Sequence, residues 1–454
     1  MDTIAAIATA PGIGAVGILR LSGPKVFEIV NALFVEKARR KTDTFLCRTL
    51  YYGALHNETG KLLDHCLCTI SRAPNSYTGE HTAEFQCHGS PALLQAVLHA
   101  CFTLGARAAN AGEFTKRAFL NGKLDLIQAE AVADLIHAET VSKVQNAALQ
   151  LGGSISLQMH ALYQKLTDIL AHFHAVVDYY DEDIEDFLLA DYQKTIADSL
   201  AKIERLLATC LRGQILSSGV LTAIIGRPNV GKSSLLNALL GYPRSIVTDI
   251  AGTTRDTLEE RILVGDVLLR LTDTAGMRHT DDPVEQIGVS KAKEVANEAS
   301  LLLFVFDGSA AFSSDDAHII TEHTDAAHKI ALINKDDLSQ HFDVSLLQAH
   351  FRHILPISAK EGTGLDQLET LIAQLFDEHE HIQGEILVNP RQISALEIAK
   401  QSLVAVLSGI QAGITPDAVL SDLESAVMAI GELNGRVLRE DVVATIFERF
   451  CVGK

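Results

Sequence analysis

The stretch Gly226-Arg-Pro-Asn-Val-Gly-Lys-Ser233 decides how this chain folds. It reads GxxxxGK[ST], directly after the apolar run Val220–Ile225 and directly before the helical pattern Ser233–Leu240. A strand, a glycine-rich loop and a helix in that order make a phosphate cradle. Gly226 and Gly231 let backbone N–H groups turn inward around phosphates. Lys232 brings a cation to the β/γ oxygens, and Ser233 offers a hydroxyl to Mg²⁺.

Outward from this loop, strand and helix alternate. Val220–Ile225, Leu268–Thr272, Leu301–Phe306 and Lys329–Ile333 are short apolar runs, each followed by a turn and a helical pattern. That spacing predicts a parallel sheet covered on both faces. The connecting loops carry phosphoryl chemistry in the order it needs. In Asp273-Thr-Ala-Gly276, Asp273 suits Mg²⁺ through a water, and the Gly276 N–H suits a γ-phosphate. Thr253 and Thr254 lie in Gly252-Thr-Thr-Arg-Asp256, where one can ligand Mg²⁺ only when the γ-phosphate is present. In Asn334-Lys-Asp-Asp337, the Asp337 carboxylate can accept hydrogen bonds from guanine N1 and N2, which adenine does not offer. Asn334 is expected at the purine edge, Lys335 along the base, and Ser358-Ala-Lys360 closing over it. The motifs together predict a GTP hydrolase, with GTP as substrate and Mg²⁺ as cofactor. Where Ras-like GTPases carry a water-orienting glutamine after DxxG, this chain has Met277, so another residue must place the water. Arg244, Arg255 and Arg278 are candidate arginine fingers that the sequence does not single out.

The chain has 454 residues and a formal net charge of −19. Its length predicts roughly three domains. Hydrophobic residues make up 47% and charged residues 21%, which excludes bulk disorder. No run of about 20 apolar residues occurs, so no membrane-spanning helix is expected. Met1-Asp2-Thr3 lacks the base of a signal peptide, and the seven cysteines are an odd number without CxxC pairs. Reduced thiols in a cytoplasmic protein are the expectation. Residues 1–118 hold 12 bases and 9 acids; every later segment is acidic, 220–376 most of all with 13 bases and 22 acids. An anionic partner is therefore expected on the first quarter of the chain.

That first quarter alternates β-like runs with turn signals: Ile4–Thr9, Val16–Leu21, Leu67–Ser71 and Ala83–Cys87 read as strands, and Pro91–Leu104 as a helix. An α+β domain follows. Gly12-Ile-Gly-Ala-Val-Gly17 matches GxGxxG but leads into another strand-like run, so it reads as a loop between strands and not as a dinucleotide site. From Phe119 the period turns helical. Long helical patterns cover Val141–Tyr180 and Tyr192–Gln214, around the acidic run Asp178–Asp186. Helices return at Ser394–Ser408, Pro416–Leu433 and Asp441–Phe450. The expected domains are 1–118 (α+β), 119–219 with 377–454 (a discontinuous helical domain), and 220–376 (a Ras-like P-loop G domain inserted in it).

Motifs outside the G domain sharpen this. Gly17-Ile-Leu-Arg-Leu-Ser-Gly23, Asn75-Ser-Tyr-Thr-Gly-Glu80, Cys87-His-Gly89, Gly112-Glu-Phe-Thr-Lys-Arg-Ala-Phe-Leu-Asn-Gly-Lys123 and the terminal Phe450-Cys-Val-Gly-Lys454 resemble the MnmE (TrmE) family of tRNA modification GTPases over the full length. The resemblance implies that the α+β domain binds tetrahydrofolate and forms a homodimer. It implies a heterotetramer-type complex with the FAD protein MnmG (GidA), no membrane, and tRNA as substrate. The reaction implied adds a carboxymethylaminomethyl or aminomethyl group to C5 of the wobble uridine, using a one-carbon unit of 5-formyl- or 5,10-methylene-tetrahydrofolate. By position, Arg20, Glu84, Lys123 and Lys454 match the folate site.

The resemblance also implies K⁺ in place of an arginine finger. Asn229, the carbonyls of Thr248 and Ile250, and Thr253 match the K⁺ ligands; Ser233 and Thr254 match the Mg²⁺ positions. Glu285 matches the glutamate that orients water, and with Lys232 and Asn229 forms the implied catalytic set. Cys451 sits where the family has its C-terminal cysteine and is a candidate reactive thiol. The nucleotide contacts implied are Asn229, Val230, Gly231, Lys232, Ser233 and Ser234; Thr248, Asp249, Ile250, Ala251, Gly252, Thr253 and Thr254; Asp273, Thr274, Ala275 and Gly276; then Asn334, Lys335, Asp337, Ser358, Ala359 and Lys360. The alternative from another class is a ribosome-assembly GTPase without group transfer.

Overall fold

The computed structural model describes residues 2–178, 189–210, 213, 218–241, 259–272, 298–322, 327–376, 386–387, 389–437, 446–447, 450 and 452–453. The chain divides into two compact units. One holds residues 1–137, 147–201 and 395–454; the other holds 138–146 and 202–394.

The first unit begins with β1 (Ile4–Ile7), β2 (Gly14–Ser22), α1 (Val26–Leu33), β3 (Phe34–Glu36), β4 (Tyr51–His56), β5 (Leu62–Ser71), β6 (Thr82–Gly89), α2 (Pro91–Thr103), β7 (Arg107–Ala108) and α3 (Glu113–Leu120). The strands form one seven-stranded sheet in the order β3-β4-β5-β6-β2-β1-β7. Alternation decides its faces. Leu19, Leu21, Cys66, Cys68, Ile70, Ala83, Phe85 and Cys87 point one way and are buried under α1 and α2 through Val26, Ile29, Val30, Leu33, Leu94 and Val97. The intervening Arg20, Glu84, Gln86 and His88 therefore point the other way, with Arg20 directly opposite Glu84. Gly17 sits inside β2, where an added Cβ would come within 2.5 Å of Leu94. The strand runs on through Gly17 to Ser22, so no helix opens at the motif; only Gly12 and Ile13 lie in the loop, and the rest of the stretch expected as loop belongs to β2. The sequence reading missed α1, α3, β3, β4 and β7; each is short, though α1 buries Val26, Ile29, Val30 and Leu33 at helical spacing.

Helices follow: α4 (Leu126–Ile136), α5 (Val141–Leu151), α6 (Ser154–Asp178) and α7 (Leu189–Leu207). Asp125 caps α4 in a capping box with Gln128. The single helix expected over Val141–Tyr180 is broken at Gly152-Gly153, where Gly153 takes φ +87°. Glycine meets that backbone demand without strain, which ends α5 and starts α6.

The second unit carries β8 (Val220–Ile225), α8 (Lys232–Leu240), β9 (Glu259–Val264), β10 (Val267–Thr272), β11 (Leu301–Asp307), α9 (Ser314–Glu322), β12 (His328–Asn334), β13 (His353–Pro356) and α10 (Leu365–Phe376). The sheet order is β13-β12-β11-β8-β10-β9. Strands β8, β10, β11, β12 and β13 are parallel, but β9 pairs antiparallel with β10, which corrects the all-parallel expectation. A tight turn at Gly265-Asp266 joins them, and it is too short for a crossover helix. Both faces are buried, one under Leu235, Leu239, Leu365, Leu368 and Ile372, the other under Ile320, Phe342, Leu347 and Phe351.

The chain closes with α11 (Pro390–Gln411) and α12 (Pro416–Leu433). By length and composition α11 could cross a membrane, with mean hydropathy 1.4. Its buried residues, Leu396, Ala399, Leu403, Val406 and Ile410, recur three and four apart, which is the stripe of a core helix. In the first unit α12 packs along α6, and Gly431 lets Tyr163 approach to 3.0 Å of where a Cβ would stand. The expected helix over 441–450 lies mostly outside the described residues.

Candidate functional site

The nucleotide corner is built where β8, β11 and β12 end. Gly226 (φ +157°) leaves β8 so close to β11 that a Cβ would meet the Val305 carbonyl oxygen at 2.4 Å. Asn229 stands exposed at the loop tip with φ +66°, a left-handed conformation that asparagine tolerates. Gly231 (φ +103°) opens α8, and its missing side chain is explained from far along the chain: a Cβ would lie 2.1 Å from the Asn334 Nδ2. That nitrogen donates to the Val230 carbonyl at 2.8 Å, while Asn334 Oδ1 accepts from the Ala359 N–H at 3.0 Å. Asn334 is 2% exposed. Its side chain ties three loops together: Gly226–Ser233, Asn334–Asp337 and Ser358–Lys360.

Lys232 Nζ donates to the carbonyls of Gly226 and Arg227 at 2.7 and 2.8 Å, so the ammonium lies inside the loop. Ser233 and Ser234 are exposed in the first turn of α8. Backbone N–H groups, the helix N-terminus and this lysine together attract a polyanion. Lys335 takes φ +68° and ion-pairs with Asp307 at 2.5 Å. Burial pushes the Asp307 carboxyl up, but hydrogen bonds from Lys335 and Ser309 outweigh it and hold the group below its ordinary range. Asp337 is exposed, and Ser358 Oγ donates to it at 2.6 Å, which keeps it ionised and fixes its carboxylate for two N–H donors. Lys360 is exposed beside Glu361. Two groups escaped the sequence reading. Arg227 Nε donates to Asp316 at 2.7 Å, and the 1% exposed Asp316 also accepts from Ser313, so α9 braces the P-loop. Only proximity in three dimensions could have paired them.

Thr248, Asp249, Ile250, Ala251, Gly252, Thr253, Thr254, Asp273, Thr274, Ala275, Gly276 and Glu285 lie outside the described residues. So do Cys451, Lys454 and the acidic run from residue 179 to 186.

The second corner is on the sheet face away from α1 and α2. Arg20 Nε donates to Glu84 at 2.8 Å, and its Nη1 donates to the Gly453 carbonyl at 3.2 Å. The guanidinium lies 5.7 Å from the Phe114 ring centre. Burial pushes the neighbouring Tyr77 phenol up, and its oxygen hydrogen-bonds Thr115 at 3.0 Å. The end of the chain is docked here. Val452 bridges to Ala111, and Gly453 fits against β1 so closely that a Cβ would meet the Ile7 carbonyl at 2.5 Å. Lys123 is exposed, and its stem passes the loop at Gly79, where an added Cβ would lie 3.4 Å from it. Thus Arg20, Glu84 and the residue before Lys454 meet, and Lys123 flanks the Asn75–Glu80 loop.

Under that loop lies a network the sequence did not reveal. Arg117, 5% exposed, donates to Asp2, Glu80 and Glu113, and Arg107 donates to Asp2 and Glu113. Ser22 Oγ adds bonds to Thr78 and Glu80 at 2.7 Å. Burial opposes ionisation of Glu113, yet Arg107, the Asn110 N–H and Arg117 bring its carboxyl down to about 2. Glu80 of the Asn75–Glu80 motif and the buried Glu113 and Arg117 of the Gly112–Lys123 motif hold the loop in shape here.

Known proteins bear on both corners. A family model described as GTP-binding protein TrmE N-terminus matches residues 3–123, and one described as MnmE helical domain matches residues 126–451. The chain is 42% identical to the tRNA modification GTPase MnmE of Synechococcus sp. (strain JA-3-3Ab), over all of this chain and 98% of that protein. It is 40% identical to the protein of that name from Thermoanaerobacter pseudethanolicus, over all of this chain and 99% of that one. Among solved structures, a variant of Aquifex aeolicus Era bound to GDP·AlF4⁻ is 29% identical, over 40% of this chain and 65% of that one, with a TM-score of 0.29.

Proposed function

The chain belongs to the MnmE family of tRNA modification GTPases, and from that membership we propose how its two corners divide the work. It is a GTP hydrolase acting in tRNA modification, with GTP as substrate and Mg²⁺ as the general metal requirement of the G domain.

The target is C5 of the wobble uridine of certain tRNAs, which receives a carboxymethylaminomethyl or aminomethyl group. The one-carbon unit arrives on 5-formyl- or 5,10-methylene-tetrahydrofolate, and the FAD protein MnmG (GidA) is the partner of a homodimer in the cytoplasm. The observation that carries the folate part is the meeting of Arg20, Glu84 and Gly453. Folate has a pterin that donates and accepts hydrogen bonds and a glutamate tail that needs cations. Glu84 suits the first, and Arg20, Lys123 and Lys454 suit the second. Cys451, next to Val452 in the sequence, is the candidate thiol of that corner. In the G domain, Asn229 supplies an exposed amide oxygen at the loop tip, suited to sharing K⁺ with phosphate oxygens. Thr248, Ile250 and Thr253 complete that set, Ser233 and Thr254 hold Mg²⁺, and Glu285 orients the water that Met277 cannot. The working domain boundaries remain 1–118, 119–219 with 377–454, and 220–376.

Nucleoside analysis of tRNA tests the reading. Cells lacking the chain should lose the wobble modification, and an Arg20→Ala chain should fail to restore it while hydrolysing GTP as before. Normal modification in the deletion strain would sink the proposal. A ribosome-assembly role predicts that outcome. Equal GTP turnover in K⁺ and Na⁺ would remove the K⁺ assignment alone.

A further inference from the structure

At the end of the six-stranded sheet opposite the P-loop, the strand starts gather basic side chains. His328 and Lys329 open β12, His350 ends the turn before β13, Arg352 precedes β13 and His353 opens it. With Ala327, Gln374 and Leu375 they line a cavity of about 420 Å³. The cluster is out of character with its surroundings. Residues 220–376 hold 22 acids against 13 bases, yet no carboxylate is among the described residues lining this cavity. His328, His350, Arg352 and His353 have no ion-pair partner among the described residues.

Like charges brought together repel, and each makes the next harder to charge. His353 shows the effect: burial, then the charges of Arg352 and His328, hold its imidazole below the ordinary histidine range. The start of β12 presents His328 and Lys329, the turn presents His350 and Arg352, and the end of α10 presents uncharged Gln374 and Leu375. An anion in the cavity reverses that repulsion.

We propose that this cavity is a phosphate-binding site, separate from the nucleotide site. Arg352 supplies forked guanidinium donors, and His328, His350 and His353 supply ring N–H donors. The same chemistry recognises a phosphodiester of an RNA backbone and a free phosphate ion. Binding draws a proton onto the His353 imidazole, so it is strong at low pH and fades as pH rises. The site is independent of the folate and tRNA readings above.

The test uses the full chain saturated with Mg²⁺ and GDP, so that the P-loop is occupied. Inorganic phosphate is titrated while histidine ring signals are followed by NMR. Near about pH 6, the His353 signal should shift saturably and its titration midpoint should rise; near about pH 8, affinity should fall about tenfold. Arg352 is exposed, so Arg352→Glu should fold and retain GDP, but it should lose the saturable response. His350→Glu, also at the surface, should do the same. A second arm titrates tRNA. Weaker tRNA binding by both variants, with a salt slope shallower by about one, assigns the phosphate to RNA. Unchanged tRNA binding assigns the site to free phosphate. No saturable response of the wild-type chain near about pH 6, or one that survives both variants, overturns the proposal.

Discussion

The nucleotide corner is held mainly by backbone, and the N-terminal corner mainly by side chains. Around the P-loop, Lys232 and Asn334 bind carbonyl and amide groups of the main chain, and two glycines make room for neighbouring atoms. Such a site needs a few residue types at fixed spacing along one short stretch. Around Arg20 the shape comes from ion pairs between residues far apart in sequence: Asp2 with Arg107 and Arg117, Glu80 with Arg117, Arg20 with Glu84. Apart from the Arg227–Asp316 brace, the first kind of site tolerates change in its surroundings. The second depends on every partner being present, because removing one leaves a buried charge uncompensated.

The largest expected effect tests that dependence. Arg117→Ala strips a buried cation from Asp2, Glu80 and Glu113. It should destabilise the first unit by about 3–5 kcal/mol in chemical denaturation, yet leave GDP affinity unchanged. A loss under about 1 kcal/mol would mean that the two corners do not differ in this way. Acid offers the same test without mutation. The folded Glu113 carboxyl is held at about 2, below the ordinary 4.5. A depressed carboxyl contributes stability that is complete above its unfolded value and lost as pH falls towards the folded one. The first unit should therefore weaken as pH falls from 4.5 to about 2, and Arg117→Ala should flatten that slope.

This contrast also explains what could be read from the chain beforehand. The P-loop and the Asn334–Asp337 and Ser358–Lys360 loops were legible because each motif is local and its neighbours are strand and helix patterns. The open face of the N-terminal sheet was legible only through resemblance, since a lone Arg20 or Glu84 reads as surface charge. The Arg117 network was not legible at all, because nothing in spacing announces that residues 2, 80, 113 and 117 meet. The antiparallel β9 was hidden for another reason: two adjacent runs joined by Gly265-Asp266 look like one interrupted strand. The break at Gly152-Gly153 was visible as glycine but was overridden by the helical period on both sides.

A middle-sized effect is expected at Asp337. Its carboxylate is exposed and fixed by Ser358, so its substitution should not disturb the fold. Asp337→Asn replaces an acceptor by a donor where guanine offers N–H groups. GTP affinity should fall by about 2–3 kcal/mol, while xanthosine triphosphate, which has a carbonyl at C2, should gain. Measured affinities for both nucleotides would decide it. An unchanged GTP affinity would show that Asp337 does not face the base.

The smallest expected effect lies between the two modes, where one side chain holds a distant backbone. Asp266, in the turn joining β9 to β10, accepts from the N–H groups of Val141 and Ser142 at 2.8 and 2.9 Å and from the Ser142 hydroxyl. It caps the start of α5 from 124 residues away. The negative charge also suits the positive end of the helix dipole. Thr140 Oγ1 adds a local cap by accepting from the Lys143 N–H at 3.1 Å, so removing Asp266 does not leave the helix start bare. Asp266→Ala should therefore cost only about 1–2 kcal/mol locally. The loss should appear as faster hydrogen exchange at the Val141 and Ser142 amides, with exchange in β11 and β12 unchanged. Asp266→Asn keeps an acceptor and loses the charge, so it should fall between. If exchange in α5 is the same in all three chains, Thr140 alone holds the helix. If exchange rises throughout the sheet as well, the turn supports the whole G domain, and side chains matter there as much as they do around Arg117.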